Sequence, residues 1–419
     1  MIKNYAMILS WLVIFMPVSI CIGKAVADIN LTIVAVLFIV YSIVQKDWYW
    51  LQEKWIKIAL VLWIYIVIRS LFVDNVWFSL EKAVPWIRYI VFAACMQFLV
   101  SQQKGVIKKI WISLTIAASF LAADTLLQFF TGYDIIGRSY FNEGDGTLRL
   151  TGPYSKKIVG FMITGLSLPV MAVIAFKALV SRNIIQILCC AILVAAIYLA
   201  VFLSGERSAF IQMNIGVIII LCFLNSHKKT ILGFITIAVT IITAVFVTNP
   251  FLINRQIYSL FDTVNHFSSS PYGMLWIAGI KIGVAHPIFG VGARYFEWFC
   301  SQYSSFCSYH PHNIYVEWFA EYGLIGFGLF LYLFYTILKK MISEYRQLNI
   351  GDLQYLLFGI VTLIYVKLLP LPSSGFFKNW YAVPLWFMIG LGLSIGGNTL
   401  QKDRKTNYNT SSLILNCSS

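Results

Sequence analysis

The chemistry available to this chain is concentrated at His310-Pro311-His312-Asn313, followed by Glu317, Glu321 and the run Gly323-Leu-Ile-Gly326. Three readings of the histidines compete. They could ligate a metal with the glutamates, cap a helix at an interface, or supply a general base. An unperturbed imidazole titrates near ~6.5, so a histidine can take a proton from a hydroxyl around neutral pH. If a helix begins near residue 312, Glu317 lies about 140° around its axis from His312. Asn313, Glu317 and Glu321 then share a face that His312 does not join. A closed metal cage needs convergent ligands, so no metal and no cofactor are expected, and the base reading gains.

A second set of residues is cationic. Arg149 stands in Arg149-Leu-Thr-Gly-Pro-Tyr-Ser-Lys156-Lys157, Arg207 in the short hairpin Ser204-Gly-Glu206-Arg207, and Arg88 a turn into an apolar run. An arginine at membrane level is costly unless paired or hydrated. One alone reads as a side chain reaching for the headgroups. Several on one face read as a site for a membrane-anchored anion, because the planar guanidinium donates in parallel to two phosphate oxygens.

The elements that must position these groups follow from composition. Of 419 residues, 59% are hydrophobic and 11% charged, against about 25% charged in an ordinary soluble domain. That excludes a soluble enzyme, a disordered chain and a nucleic-acid binder; the net charge of +14 belongs instead to loops at a membrane surface. Apolar runs fall at 6–23, 29–45, 55–73, 83–100, 110–130, 158–180, 184–204, 208–226, 230–248, 313–338, 353–371 and 379–397, each near the roughly 20 residues that a span needs. The expected fold is an all-α integral membrane protein of about twelve transmembrane helices. It is one membrane domain over 1–397 with a tail at 398–419. Lys3, the first apolar run and Ala25-Val-Ala27 imitate a signal peptide, but the run is long and further spans follow, so it is read as span one.

Basic residues fall in every second connection: Lys46 and Lys54; Lys104, Lys108 and Lys109; Arg182; Lys228 and Lys229; Lys339, Lys340 and Arg346; then Lys402, Arg404 and Lys405. The positive-inside rule makes these cytoplasmic, with both termini. Two opposite connections, 131–157 and 249–312, are too long to be mere links, and long ordered loops tend to carry function. The second contains an amphipathic stretch, Met274–Ala285, whose apolar residues Leu275, Ile277, Ala278, Ile280 and Ile282 are expected at the membrane interface or on the tops of the spans. Within it Cys300 and Cys307 enclose six residues in an oxidising compartment, which predicts a disulfide. Asp124 and Lys367 are the charges deepest in spans. A transporter is the competing class for twelve spans, but no internal repeat is visible.

His312-Asn313 followed after nine residues by Gly323-Leu-Ile-Gly326 resembles the signature of the O-antigen ligase family and its polymerase relatives. Arg149-Leu-Thr-Gly152, Gly205-Glu-Arg207 and Pro287-Ile-Phe-Gly290-Val-Gly292 extend the resemblance over roughly 130–330. It implies a membrane glycosyltransferase of the bacterial inner membrane. Such an enzyme moves a glycan from undecaprenyl diphosphate to a lipid A–core acceptor at the periplasmic face, or, in a polymerase, to another lipid-linked repeat unit. By the resemblance Arg207 would hold the diphosphate and His312 would act on the acceptor hydroxyl; from their placement, Arg149 or Arg88 is expected to assist, with Asn313, Glu317 and Glu321 in support. Many relatives carry an arginine about four residues before the tryptophan that is Trp276 here. This chain has Tyr272 there, which leaves Arg294 as the nearest loop arginine.

Overall fold

The computed structural model describes residues 2–103, 105–142, 148–155, 158–224 and 258–395, with residues 236 and 243. The expected ninth run at 230–248 and the tail at 398–419 lie outside the described residues or, for the run, almost wholly so. The rest is α-helical: Ile2–Ile22 (α1), Lys24–Gln45 (α2), Lys54–Ser70 (α3), Val76–Ala83 (α4), Ile87–Phe98 (α5), Val106–Thr131 (α6), Gly160–Val180 (α7), Ile184–Leu203 (α8) and Arg207–Phe223 (α9) come first. Ser259–Asn265 (α10), Pro271–Ala285 (α11), Phe296–Cys300 (α12), Ile314–Tyr345 (α13), Asp352–Lys367 (α14) and Asn379–Ile395 (α15) follow. A two-residue ladder, Phe141–Asn142 (β1) against Leu148–Arg149 (β2), is the one strand pair among the described residues. Seven helices among the described residues are long and apolar enough to cross a membrane. The chain is a polytopic helical membrane protein.

Connections alternate between two ends of the bundle. At one end Lys340 meets Glu53 at 3.2 Å, joining the end of α13 to the start of α3, and Lys177 meets Asp352 at 3.0 Å, joining α7 to α14. At the other, Tyr154 Oη donates to the Ile20 carbonyl at 3.0 Å, the Asn75 N–H meets the Tyr295 hydroxyl, and Ser373 N donates to the His312 carbonyl at 2.8 Å. Every candidate site residue belongs to the second end or to the helix turns just beneath it. Helix contact inside relies on small residues, as is usual where lipid gives no hydrophobic drive between helices. A Cβ on Gly359 of α14 would come within 2.6 Å of Pro169 Cα in α7.

Two stretches take a more particular form than their apolar pattern alone gives. The fourth run is built from α4, a 3-10 turn Val84–Trp86 and α5, because Pro85 lacks the N–H that would continue α4. The stretch expected at the interface or on the span tops is a helix, α11, that packs against α13 and is capped by Ser270 accepting from Gly273 N at 3.1 Å. Its Leu275, Ala278 and Ile282 are buried with Val291, Phe296 and Ala320, while Ile277 and Ile280 stay exposed.

The tenth run is not one continuous helix. Gly323 breaks α13 with φ 61°, a left-handed conformation that glycine adopts without penalty. The break frees backbone groups, which inside a membrane must find other partners. Residues 287–292 supply them: Val291 N donates to Ala320 O at 3.0 Å and Gly292 N to Glu321 O at 2.7 Å. In return Leu324 N donates to Pro287 O at 2.8 Å and Ile325 N to Ile288 O at 3.3 Å. Tyr65 Oη takes the Tyr322 carbonyl at 2.7 Å, and Arg69 clamps the same loop through the Gly290 carbonyl at 2.8 Å. Pro287-Ile-Phe-Gly290-Val-Gly292 and Gly323-Leu-Ile-Gly326 are therefore two halves of one joint.

Candidate active site

His312 sits on the last residues before α13. Asn313 caps that helix, its Oδ1 accepting from Tyr315 N at 2.9 Å and Val316 N at 3.2 Å. To reach the cap the chain passes through His312 with φ 55°. Only three non-glycine residues among the described ones have positive φ: Lys46, Arg294 and His312. Such conformations cost about 1–3 kcal/mol and persist where surroundings enforce them. Here the enforcing contact is Ser373 N on the His312 carbonyl.

The ring of His312 lies 4.0 Å from that of His310, centroid to centroid, and meets Tyr272 edge-on at 5.7 Å. His310 is buried, and its Nδ1 is 3.0 Å from Lys378 Nζ. Glu317 and Glu321 are buried on the face of α13 below. Glu317 Oε2 accepts from Phe376 N at 2.8 Å, and Glu321 faces the backbone N–H groups of Arg294 and Phe296. Gly375 closes against both sets: a Cβ there would stand 3.2 Å from Glu317 Oε1 and from the His310 ring. A cavity of about 160 Å³ opens between Lys82, Arg294, His310, Glu317, Glu321 and Lys378.

The cations divide into two groups. Arg207 begins α9, after Gly205 at φ 76°. Glu206 beside it does not face outward; its Oε2 accepts from Phe161 N at 2.6 Å and so ties the hairpin to the start of α7. The Arg207 guanidinium is half-buried, reaches Thr263 Oγ1 at 3.4 Å, and lies where the Arg149 and Tyr272 side chains both bear on it electrostatically. Arg149 is delivered by β2. The residues after it are fixed by Gln128, whose Oε1 accepts from Thr151 N at 2.9 Å and Gly152 N at 3.0 Å. Tyr154 then pins the segment to α1; burial pushes its hydroxyl well above the ordinary phenol range, so it remains a donor. Arg149, Arg207, Tyr272 and His312 thus form a connected series.

Arg88 and Arg294 are placed elsewhere. Arg88 Nη2 is 2.9 Å from Asp28 Oδ1, with Asn379 Oδ1 at 3.4 Å. Arg294 lies over the Phe78 ring at 4.0 Å and 3.7 Å from Glu81, on the rim of the cavity. Asp124 is not an isolated charge in a span: its Oδ1 accepts from Ile135 N at 2.7 Å and organises the turn after α6. Lys367 is buried, donating to Gln212 Oε1 at 2.9 Å. Cys300 and Cys307 are joined by a disulfide with Cα atoms 5.8 Å apart. No group of three or more His, Cys, Asp or Glu side chains among the described residues is arranged to hold a metal ion.

Sequence reasoning missed the segment 373–378, which supplies Ser373, Gly375, Phe376 N and Lys378 to the histidines and Glu317. It lies some sixty residues downstream and has no motif. Its one signal was a polar Ser-Ser-Gly stretch with a lysine between two apolar runs.

Comparison with known protein families places part of the chain. A family model described as O-antigen ligase covers residues 190–331, taking in Arg207, Tyr272, His312 and the Gly323 joint. No curated protein matches the chain.

Proposed function

We propose, from the match of residues 190–331 to the O-antigen ligase family, that the chain is a member of that family and transfers a glycan from undecaprenyl diphosphate to a lipid A–core acceptor at the periplasmic face of the inner membrane. Twelve spans with both termini cytoplasmic would place the site residues on that face. The donor's diphosphate is bound by Arg207 and Arg149, with its lipid tail among the spans. His312 takes the proton from the acceptor hydroxyl. The acceptor oxygen forms a bond to the anomeric carbon as the bond from that carbon to the diphosphate oxygen breaks. Undecaprenyl diphosphate leaves with the electron pair, and the proton departs later from His312. The leaving group is already stabilised by the guanidinium charge, so the protein's contribution is positioning and electrostatics, without a metal.

The single observation that supports this reading is that Tyr272, in ring contact with His312, and Arg149 both act electrostatically on Arg207. On this reading the arginines are the anion site and His312 the base. A polymerase would use the same parts on a different acceptor. Deleting the gene and separating the lipopolysaccharide by electrophoresis tests the choice: core devoid of polymer is expected, whereas core bearing a single repeat unit would make the protein a polymerase.

A further inference from the structure

We propose that Lys378 is a positioning residue that fixes the tautomer of His310 and keeps the histidine pair unprotonated, so that His312 is empty when the acceptor hydroxyl arrives. The inference rests on the reading of His312 as base.

The geometry leaves little choice of proton arrangement. An ammonium has three donors and no acceptor, so at 3.0 Å from Lys378 Nζ the Nδ1 atom of His310 must accept. The ring proton of His310 then sits on Nε2. Protonating His310 would put an N–H on Nδ1, directed at the ammonium, which costs both the hydrogen bond and like-charge repulsion. The neighbouring ring of His312 is only 4.0 Å away, so the same cation opposes its protonation, more weakly because it is farther off.

Other charged groups share a cavity with His310. Glu317 and Glu321 come from α13, Lys82 from α4 and Arg294 from the loop before α12, all on the shared cavity. Tyr309 lies under Lys378, with the ammonium 5.6 Å from its ring. On the far side of His312 stands Tyr272, with Arg207 beyond it. Lys378 is in hydrogen-bond contact with His310 Nδ1, and its segment also holds the His312 carbonyl through Ser373. One short stretch therefore controls both the backbone conformation of the histidines and their charge.

The test compares the pH dependence of glycan transfer by the full-length protein in proteoliposomes with Lys378→Gln, Lys378→Met and Lys378→Arg. Gln keeps a donor for Nδ1 without charge, Met removes both, and Arg keeps both. The acidic limb should move to higher pH by about one unit in the Gln and Met variants and stay in place in the Arg variant. Where a variant loses transfer, diethyl pyrocarbonate modification of the 309–313 peptide, followed against pH by mass spectrometry, reads the same titration, since only a neutral imidazole reacts. Unchanged titration in Gln and Met overturns the proposal, as does a shift to lower pH, which would place the charge on His310. If His312→Ala keeps full activity, the base reading fails by itself, and the peptide titration still decides what Lys378 does.

Discussion

Tyr272 and His312 meet edge to face with ring centroids 5.7 Å apart, and Tyr272 stands beside Arg207. The first turn of α11 thereby links the proposed anion site to the proposed base. Tyr272→Phe retains that contact, while Tyr272→Ala removes it. An aromatic pair contributes about 0.5–1.5 kcal/mol, equivalent to roughly two- to tenfold in rate. Transfer should fall by that range in the Ala variant and by less in the Phe variant. Equal activity in all three proteins would detach Tyr272 from the site.

Arg207 is expected to bind diphosphate through its planar fork. Arg207→Ala should lower transfer by about 10²–10³-fold, the usual effect of removing one preorganised donor to developing negative charge. Arg207→Lys should recover little of that loss because an ammonium cannot donate in parallel to two oxygens. The measurement is the transfer rate at matched protein amount in membranes, and a fully active Ala variant would move the anion site elsewhere.

The joint at Gly323 makes a structural prediction. A side chain there meets the backbone of Ile288 and Phe289 and must adopt φ 61°. Gly323→Ala should therefore destabilise the fold by at least about 1–3 kcal/mol, lowering the melting temperature in detergent. Gly328, where a Cβ would meet nothing within 4 Å, should accept alanine with little change and serves as the control.

The Cys300–Cys307 bridge closes the chain five residues before His312. On the proposed topology it faces the periplasm. A membrane-impermeant maleimide should label neither cysteine until reductant is added, and Cys300→Ser should free Cys307 for labelling. Labelling of Cys307 in the untreated wild type would mean an open bridge.

How far these features were legible in the sequence depends on the range of the contacts. The shared face of Asn313, Glu317 and Glu321 follows from helical periodicity within nine residues, and the structure has all three buried, Asn313 as the cap of α13 and the two glutamates on it. The Cys300–Cys307 pairing was likewise readable from spacing. The helix break was not, since residues 313–338 read as a continuous apolar run and the partner strand of backbone lies some thirty residues earlier. Arg88 was grouped with Arg149 and Arg207 because its partner Asp28 is sixty positions away. Lys378 was invisible for the same reason: a single lysine near an apolar run resembles any other loop charge until the fold carries it to His310.

The central claim is that His312 removes the acceptor proton without a metal. The most direct measurement is single-turnover glycan transfer in proteoliposomes by wild type and His312→Ala, each with and without a strong chelator, alongside binding of the lipid-linked donor. Loss of about 10²–10⁴-fold in rate, unchanged donor binding and no effect of chelator are the expected results. Wild-type rates in the Ala variant, or activity abolished by chelator and restored by added divalent metal, would contradict the account.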